Sequence, residues 1–99
     1  MNGYQYAMFR HRNNVDIYQD FIIGLIDSHK KLNVKTILDL VKDHHISSMH
    51  TTHKALIKCI NDGYLKAERD MNDSRKKIIT LTNKGKEYIS DLQHIFKEW

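Results

Sequence analysis

The chain has 99 residues, enough for one small core and too few for two domains, and 40% hydrophobic beside 28% charged residues excludes wholesale disorder. No apolar run approaches the ~18–20 residues of a membrane span, Phe9-Arg10-His11-Arg12 breaks any signal-peptide layout, and the single Cys59 excludes an intrachain disulfide and suits a reducing cytoplasm. The net charge of +4 is uneven: from Lys54 to Lys86 nine basic residues stand against four acidic ones, an excess of five that implies a polyanionic partner.

Met1 to Asn14 show no clear period. Tyr4, Tyr6 and Phe9 alternate loosely before Arg10-His11-Arg12, which fits an edge strand, a minor-groove arm or an apolar strap over the core. Residues 1–14 are therefore read as an N-terminal arm.

Asn14 can cap a helix that starts near Val15 and extends over 15–31, with Asp16 well placed in its first turn. Val15, Tyr18, Ile22, Leu25 and Ile26 recur at helical spacing, while Phe21 and Ile23 widen the apolar surface. Such a helix needs a second surface to bury against, which points to a homodimer. Gly24 in its interior costs about 1 kcal/mol against alanine, so a close helix approach is expected there.

Residues 34–62 read as a helix-turn-helix. Asn33 caps a helix whose buried side is Val34, Ile37, Leu38 and Val41; Asp43-His44-His45 turns, Ile46 plugs the core, and Ser47 or Ser48 caps the longer helix. Its inward set is Met49, Thr52, Leu56, Cys59 and Ile60. Outward lie Ser48, His50, Thr51, Lys54 and Lys58, side chains that suit base edges and phosphates.

Asn61-Asp62-Gly63 stops that helix, and residues 64–81 form a wing: a strand Tyr64–Arg69, a polar tip from Asp70 to Arg75, and a return strand Lys77–Leu81. Thr82 caps a last helix over 82–99, in which Tyr88, Ile89, Leu92, Ile95, Phe96 and Trp99 make an apolar stripe. The expected fold is α+β and mostly α: a winged helix-turn-helix with a two-stranded β-hairpin wing and flanking dimerisation helices. Its double-stranded-DNA surface would comprise Ser47, Ser48, His50, Thr51, His53, Lys54 and Lys58 with Arg69, Arg75, Lys76 and Lys77 of the wing. The dimer interface would comprise Tyr18, Phe21, Ile22, Leu25, Tyr88, Leu92, Ile95, Phe96 and Trp99.

Seven histidines call for a metal check. His44, His45, His50 and His53 cluster in sequence, but no second cysteine or carboxylate pair completes a site, so no metal or other cofactor is expected. Without a glycine-rich phosphate loop, a nucleophile–base constellation or paired carboxylates, catalysis is not expected either. A winged helix can also serve as a protein-interaction module with acidic partners.

From Gly63 to Gly85 the chain resembles the MarR family of bacterial winged-helix regulators. The likeness rests on Gly63-Tyr64-Leu65, on Glu68-Arg69-Asp70 followed by Asp73-Ser74-Arg75, and on Ile79-Thr80-Leu81-Thr82-Asn83-Lys84-Gly85. The resemblance implies a homodimeric transcriptional regulator, a repressor with its recognition helix in the major groove. It also implies that Arg75, steadied by Asp73, reaches into the minor groove, where a narrow groove concentrates negative potential. The chain is similar in scale and layout to TubR-type centromere-binding adaptors of plasmid or phage segregation too, which implies a filament-forming partner. With one helix expected before the motif and one after, a plain dimeric binder is favoured over a ligand-sensing one.

Overall fold

The computed structural model describes residues 3–43 and 47–97. In chain order these form α1 (Gly3–Arg12), α2 (Ile17–His29), β1 (Lys31–Asn33), α3 (Val34–Asp43), α4 (Met49–Asn61), β2 (Leu65–Arg69), β3 (Lys77–Leu81) and α5 (Asn83–Lys97). The strands make one antiparallel sheet in the order β1-β3-β2. Helices and sheet share a core built from Ile22, Ile23, Ile26, Ile37, Leu56, Cys59, Leu65 and Ile79, all 2% exposed or less.

The expected arm is a helix. Within α1 only Phe9 is buried, so no apolar stripe marks the segment in the sequence, and tertiary contacts hold it instead. Phe9 packs on Tyr88 with ring centroids 5.0 Å apart, Tyr6 donates its hydroxyl to Asp20, and the Arg10 guanidinium lies 4.9 Å from the Tyr6 ring centre. Asn14 ends α1 rather than capping the next helix. It takes φ 55°, a left-handed conformation that asparagine tolerates, while Asn14 N–H reaches His11 O at 3.0 Å and Val15 N–H reaches Arg10 O at 2.9 Å. Two helices thus precede the helix-turn-helix where one was expected.

The cap of α2 is Asp16, with Gln19 returning the contact: Gln19 N–H donates to Asp16 Oδ1 at 2.9 Å and Asp16 N–H to Gln19 Oε1 at 3.2 Å. Gln19 is fully buried, and its amide also reaches Asp62 Oδ2 at 3.3 Å, tying the start of α2 to the end of α4. A Cβ on Gly24 would meet nothing within 4 Å, so no close helix approach explains that glycine within the chain.

Lys31 to Asn33, between the two expected helices, is a third strand. It pairs Leu32 with Ile79 and Asn33 with Ile78, so the sheet has three strands rather than two. Asn33 also caps α3, accepting Thr36 N–H at 2.8 Å. Residues 44–46, with the expected His44-His45 turn and Ile46 plug, lie outside the described residues. Ser48, not Ser47, caps α4, and Met49, expected inward, is 52% exposed because it occupies the first turn beyond the core.

Gly63 closes α4 at φ 86°, with Gly63 N–H on Ile60 O at 3.1 Å and Tyr64 N–H on Cys59 O at 2.9 Å. Tyr64 is buried just before β2, which starts at Leu65. The Thr82 hydroxyl donates to Gly63 O and accepts Gly85 N–H at 3.1 Å, while Thr82 N–H donates to Tyr64 O at 3.1 Å. The Leu-Thr-Asn-Lys-Gly run therefore seats the start of α5 on the end of α4.

Candidate nucleic-acid interface

The α4 helix presents His50, His53, Lys54, Ile57 and Lys58 to solvent while Thr52, Ala55, Leu56 and Cys59 are buried, as a helix with one apolar side must. Its first turn is held by hydroxyls. Ser48 Oγ accepts Thr51 N–H at 3.1 Å and donates to Thr51 Oγ1 at 3.0 Å; Thr52 Oγ1 donates to Ser48 O at 2.9 Å. Ser47 Oγ lies 2.5 Å from Thr52 Oγ1, which draws Ser47 inward to a structural role and leaves Ser48 and Thr51 as the hydroxyls at the rim.

The hairpin tip is organised by carboxylates. Asp70 Oδ1 accepts Asn72 N–H at 2.9 Å, and Asp73 Oδ1 accepts both Arg75 N–H at 3.1 Å and Arg75 Nε at 3.2 Å. The backbone and side-chain bonds from Arg75 hold the Asp73 carboxyl below the usual carboxylate range. The Arg75 side chain is 90% exposed and engages Asp73 through Nε, so its terminal nitrogens project outward from an oriented stem. Arg69 and Lys77 face each other in the strand register at the foot of this tip, and both are exposed.

Between α3, α4 and the hairpin runs a groove of about 890 Å³. Lys35, Thr36 and Asp39 line it from α3, His53 and Ile57 from α4, and Arg75, Lys76 and Lys77 from the wing, over a floor that includes Leu56, Ala67 and Ile79. The structure thus joins His53 with the three wing cations. Lys58 stands apart, in a hollow lined by Arg10, His11 and Asp16 near the end of α1. Lys35, Thr36 and Asp39 carry no role in the sequence reading; their position just after the Asn33 cap was the available signal.

Two of the residues assigned to a dimer interface are taken up by the chain's own core. Ile22 and Tyr88 are already buried within the chain, and Tyr18 and Phe21 border a crevice with Val41, Ser47 and Thr52. Leu25, Leu92 and Ile95 are half-buried against the core, whereas Ile17 and Tyr18 remain exposed at 56% and 40%. The Phe96 side chain and Trp99 fall outside the described residues. A second unforeseen feature joins the helices: Tyr6 and Tyr88 both donate to the Asp20 carboxylate, Tyr88 at 2.5 Å, and with burial this raises both phenols, Tyr6 to about 12. Among the described residues no helix is long and apolar enough to cross a membrane.

No protein-family model matches the sequence. A curated protein, the HTH-type transcriptional regulator BilQ of Clostridioides difficile (strain CD3), is 31% identical over 61 residues, 62% of this chain; the match spans 40% of BilQ, less than half its length. Among solved structures, a MarR transcriptional regulator from Methanosarcina mazei Go1 superposes with a TM-score of 0.72 at 24% identity, over 97% of this chain and 70% of that one. The S. aureus MepR–DNA complex superposes with a TM-score of 0.79 at 19% identity, over 94% and 73%. The chain has the winged helix-turn-helix fold of the MarR-type structures.

Proposed function

We propose that the protein binds double-stranded DNA sequence-specifically as a homodimer and regulates transcription, acting as a repressor in the cytoplasm. The observation that carries this reading is the groove between α3, α4 and the wing, edged by Lys35, Arg75, Lys76 and Lys77. In the proposed complex Ser48, His50, Thr51, His53 and Lys54 meet the major groove, and Arg75, oriented by Asp73, enters the minor groove. Lys76, Lys77 and Arg69 lie along the backbone, and Lys58 makes an outlying phosphate contact. The MepR–DNA complex and the regulator BilQ support the reading by likeness.

For the dimer we infer an interface centred on the exposed Ile17 and Tyr18, extended by Leu25, Leu92 and Ile95. Replacing Tyr18 with glutamate is expected to give monomers in sedimentation velocity; a mutant as dimeric as the parent places the interface elsewhere.

Selection of binding sites from a random duplex pool, followed by anisotropy titrations, tests the function. A single enriched motif is expected, with affinity falling about a thousandfold or more between about 50 and 200 mM salt if six or more phosphates are contacted. No enrichment and salt-insensitive retention would leave a protein-interaction module. Tandem repeats beside a gene for a filament-forming partner, in place of one inverted repeat over a promoter, would move the reading to segregation.

A further inference from the structure

The groove brings together cations that the sequence keeps apart. Lys35 opens α3, whereas Lys76 and Lys77 lie some forty residues later at the hairpin, and all three line the same hollow. Among the described residues the ion pairs are Lys66 with Glu68 and Arg75 with Asp73, so none of these lysines is held in a close ion pair, although Lys76 lies near enough to Asp73 to help hold its carboxyl low. Like charges gathered on a concave surface repel one another and focus a positive potential into it, which a chain of phosphates relieves. The same wall also carries one opposing charge, Asp39, one helical turn beyond Lys35 and exposed.

We propose that Lys35 is a backbone-positioning residue. With Lys76 and Lys77 opposite, it fixes the track of one DNA strand between α3 and the wing, and Asp39 limits the strength of that contact by repelling the same phosphates. This rests on the DNA-binding reading above and deepens it. The track would set the register in which α4 enters the major groove, because phosphate contacts position a protein on the duplex while base contacts specify the sequence. Lys35 is exposed in the first helical turn, so its role is separable from folding.

The test measures affinity against salt for the full chain on its selected duplex and on an unrelated duplex. K35A is expected to lower the slope of log affinity against log salt by about two, about one for each protomer of the dimer, and to weaken both duplexes by the same factor. K35R should restore slope and affinity, as a structural role for the lysine stem alone would not require. D39N should tighten both duplexes. A K30A/K86A double mutant, which removes two lysines from the separate hollow beside β3, should leave the slope unchanged. Thermal melting of each variant monitors folding. If the parent binds with a steep slope and folded K35A keeps it, or if D39N does not tighten binding, the track is wrong while the DNA-binding reading stands. If the parent shows no salt-dependent binding to duplex DNA, both fall together.

Discussion

Gly85 lies so close to Tyr64 that a Cβ at position 85 would stand 2.3 Å from the Tyr64 carbonyl oxygen. That oxygen belongs to the backbone and already accepts Thr82 N–H, so it cannot yield cheaply, whereas the Leu81 methyl 3.0 Å away can turn aside. Gly85→Ala should therefore destabilise the fold by about 2–3 kcal/mol, against the usual helical gain from alanine. Urea unfolding measures it, and an unchanged midpoint would mean that α5 sits farther from Tyr64.

The Asp20 carboxylate accepts two phenols, from Tyr6 of α1 and Tyr88 of α5. Removing the acceptor leaves two partly buried hydroxyls to find water, at about 1–3 kcal/mol for each one left unsatisfied. Asp20→Ala should cost more than Tyr6→Phe or Tyr88→Phe alone, and the two phenylalanine substitutions should be coupled in a double-mutant cycle. Simple additivity would show that the hydroxyls do not share one acceptor.

Stability should fall on the alkaline side. Burial pushes the Cys59 thiol up to about 12, and burial with the Asp20 bond raises Tyr6 to about 12 and Tyr88 higher still. A folded pKa above the unfolded one means that the contribution is complete below the unfolded value and is lost as pH rises toward the folded value. The unfolded thiol titrates first, near about 8.5, and the phenols near about 10. Unfolding free energy should thus be flat from neutral pH to about 8.5 and decline from there to about pH 12. Cys59→Ala should delay the onset toward the phenol range, and denaturant titrations at stepped pH read both curves.

At the wing, Arg75→Ala should weaken duplex binding by about 1–3 kcal/mol if the guanidinium reads the minor groove. Asp73→Ala should cost less, since it frees Arg75 without removing its charge. The Arg75 side chain is exposed, so Arg75→Ala should shift the melting temperature little, whereas Asp73→Ala also removes the tip bond to Arg75 N–H and should lower it slightly. Equal affinity for the parent and Arg75→Ala in anisotropy titrations would remove Arg75 from the contact surface.

The second half of the molecule was readable from residues because its signals are local. Ser48 at the cap, Gly63 at the positive φ and the pairing of Arg69 with Lys77 each depend on neighbours within one or two turns. What escaped depends on distant partners. The α1 helix is held by Tyr88 and Asp20 rather than by a stripe of its own, and β1 is three residues long, with Leu32 finding Ile79 well along the chain. Asn14 and Asp16 are both good capping residues, and local preference could not say that one ends a helix while the other begins the next. Lys35 escaped for a related reason: an exposed lysine in a first turn looks solvated until the hairpin is folded against it.

Tyr64 is where these distant partners meet. Its hydroxyl donates to Asn13 O at 3.1 Å, its ring lies edge-on to Tyr88 with centroids 5.5 Å apart, the Lys84 ammonium sits 4.5 Å from the ring centre, and its carbonyl faces Gly85. The only residues between the α4 helix and the first wing strand are Asp62, Gly63 and this anchored tyrosine. Helix and hairpin consequently cannot splay as independent arms, and the span between them is set before any ligand arrives. The entropy of ordering that span is met during folding, so an encounter with a long polymer begins from a jaw already held at its working width.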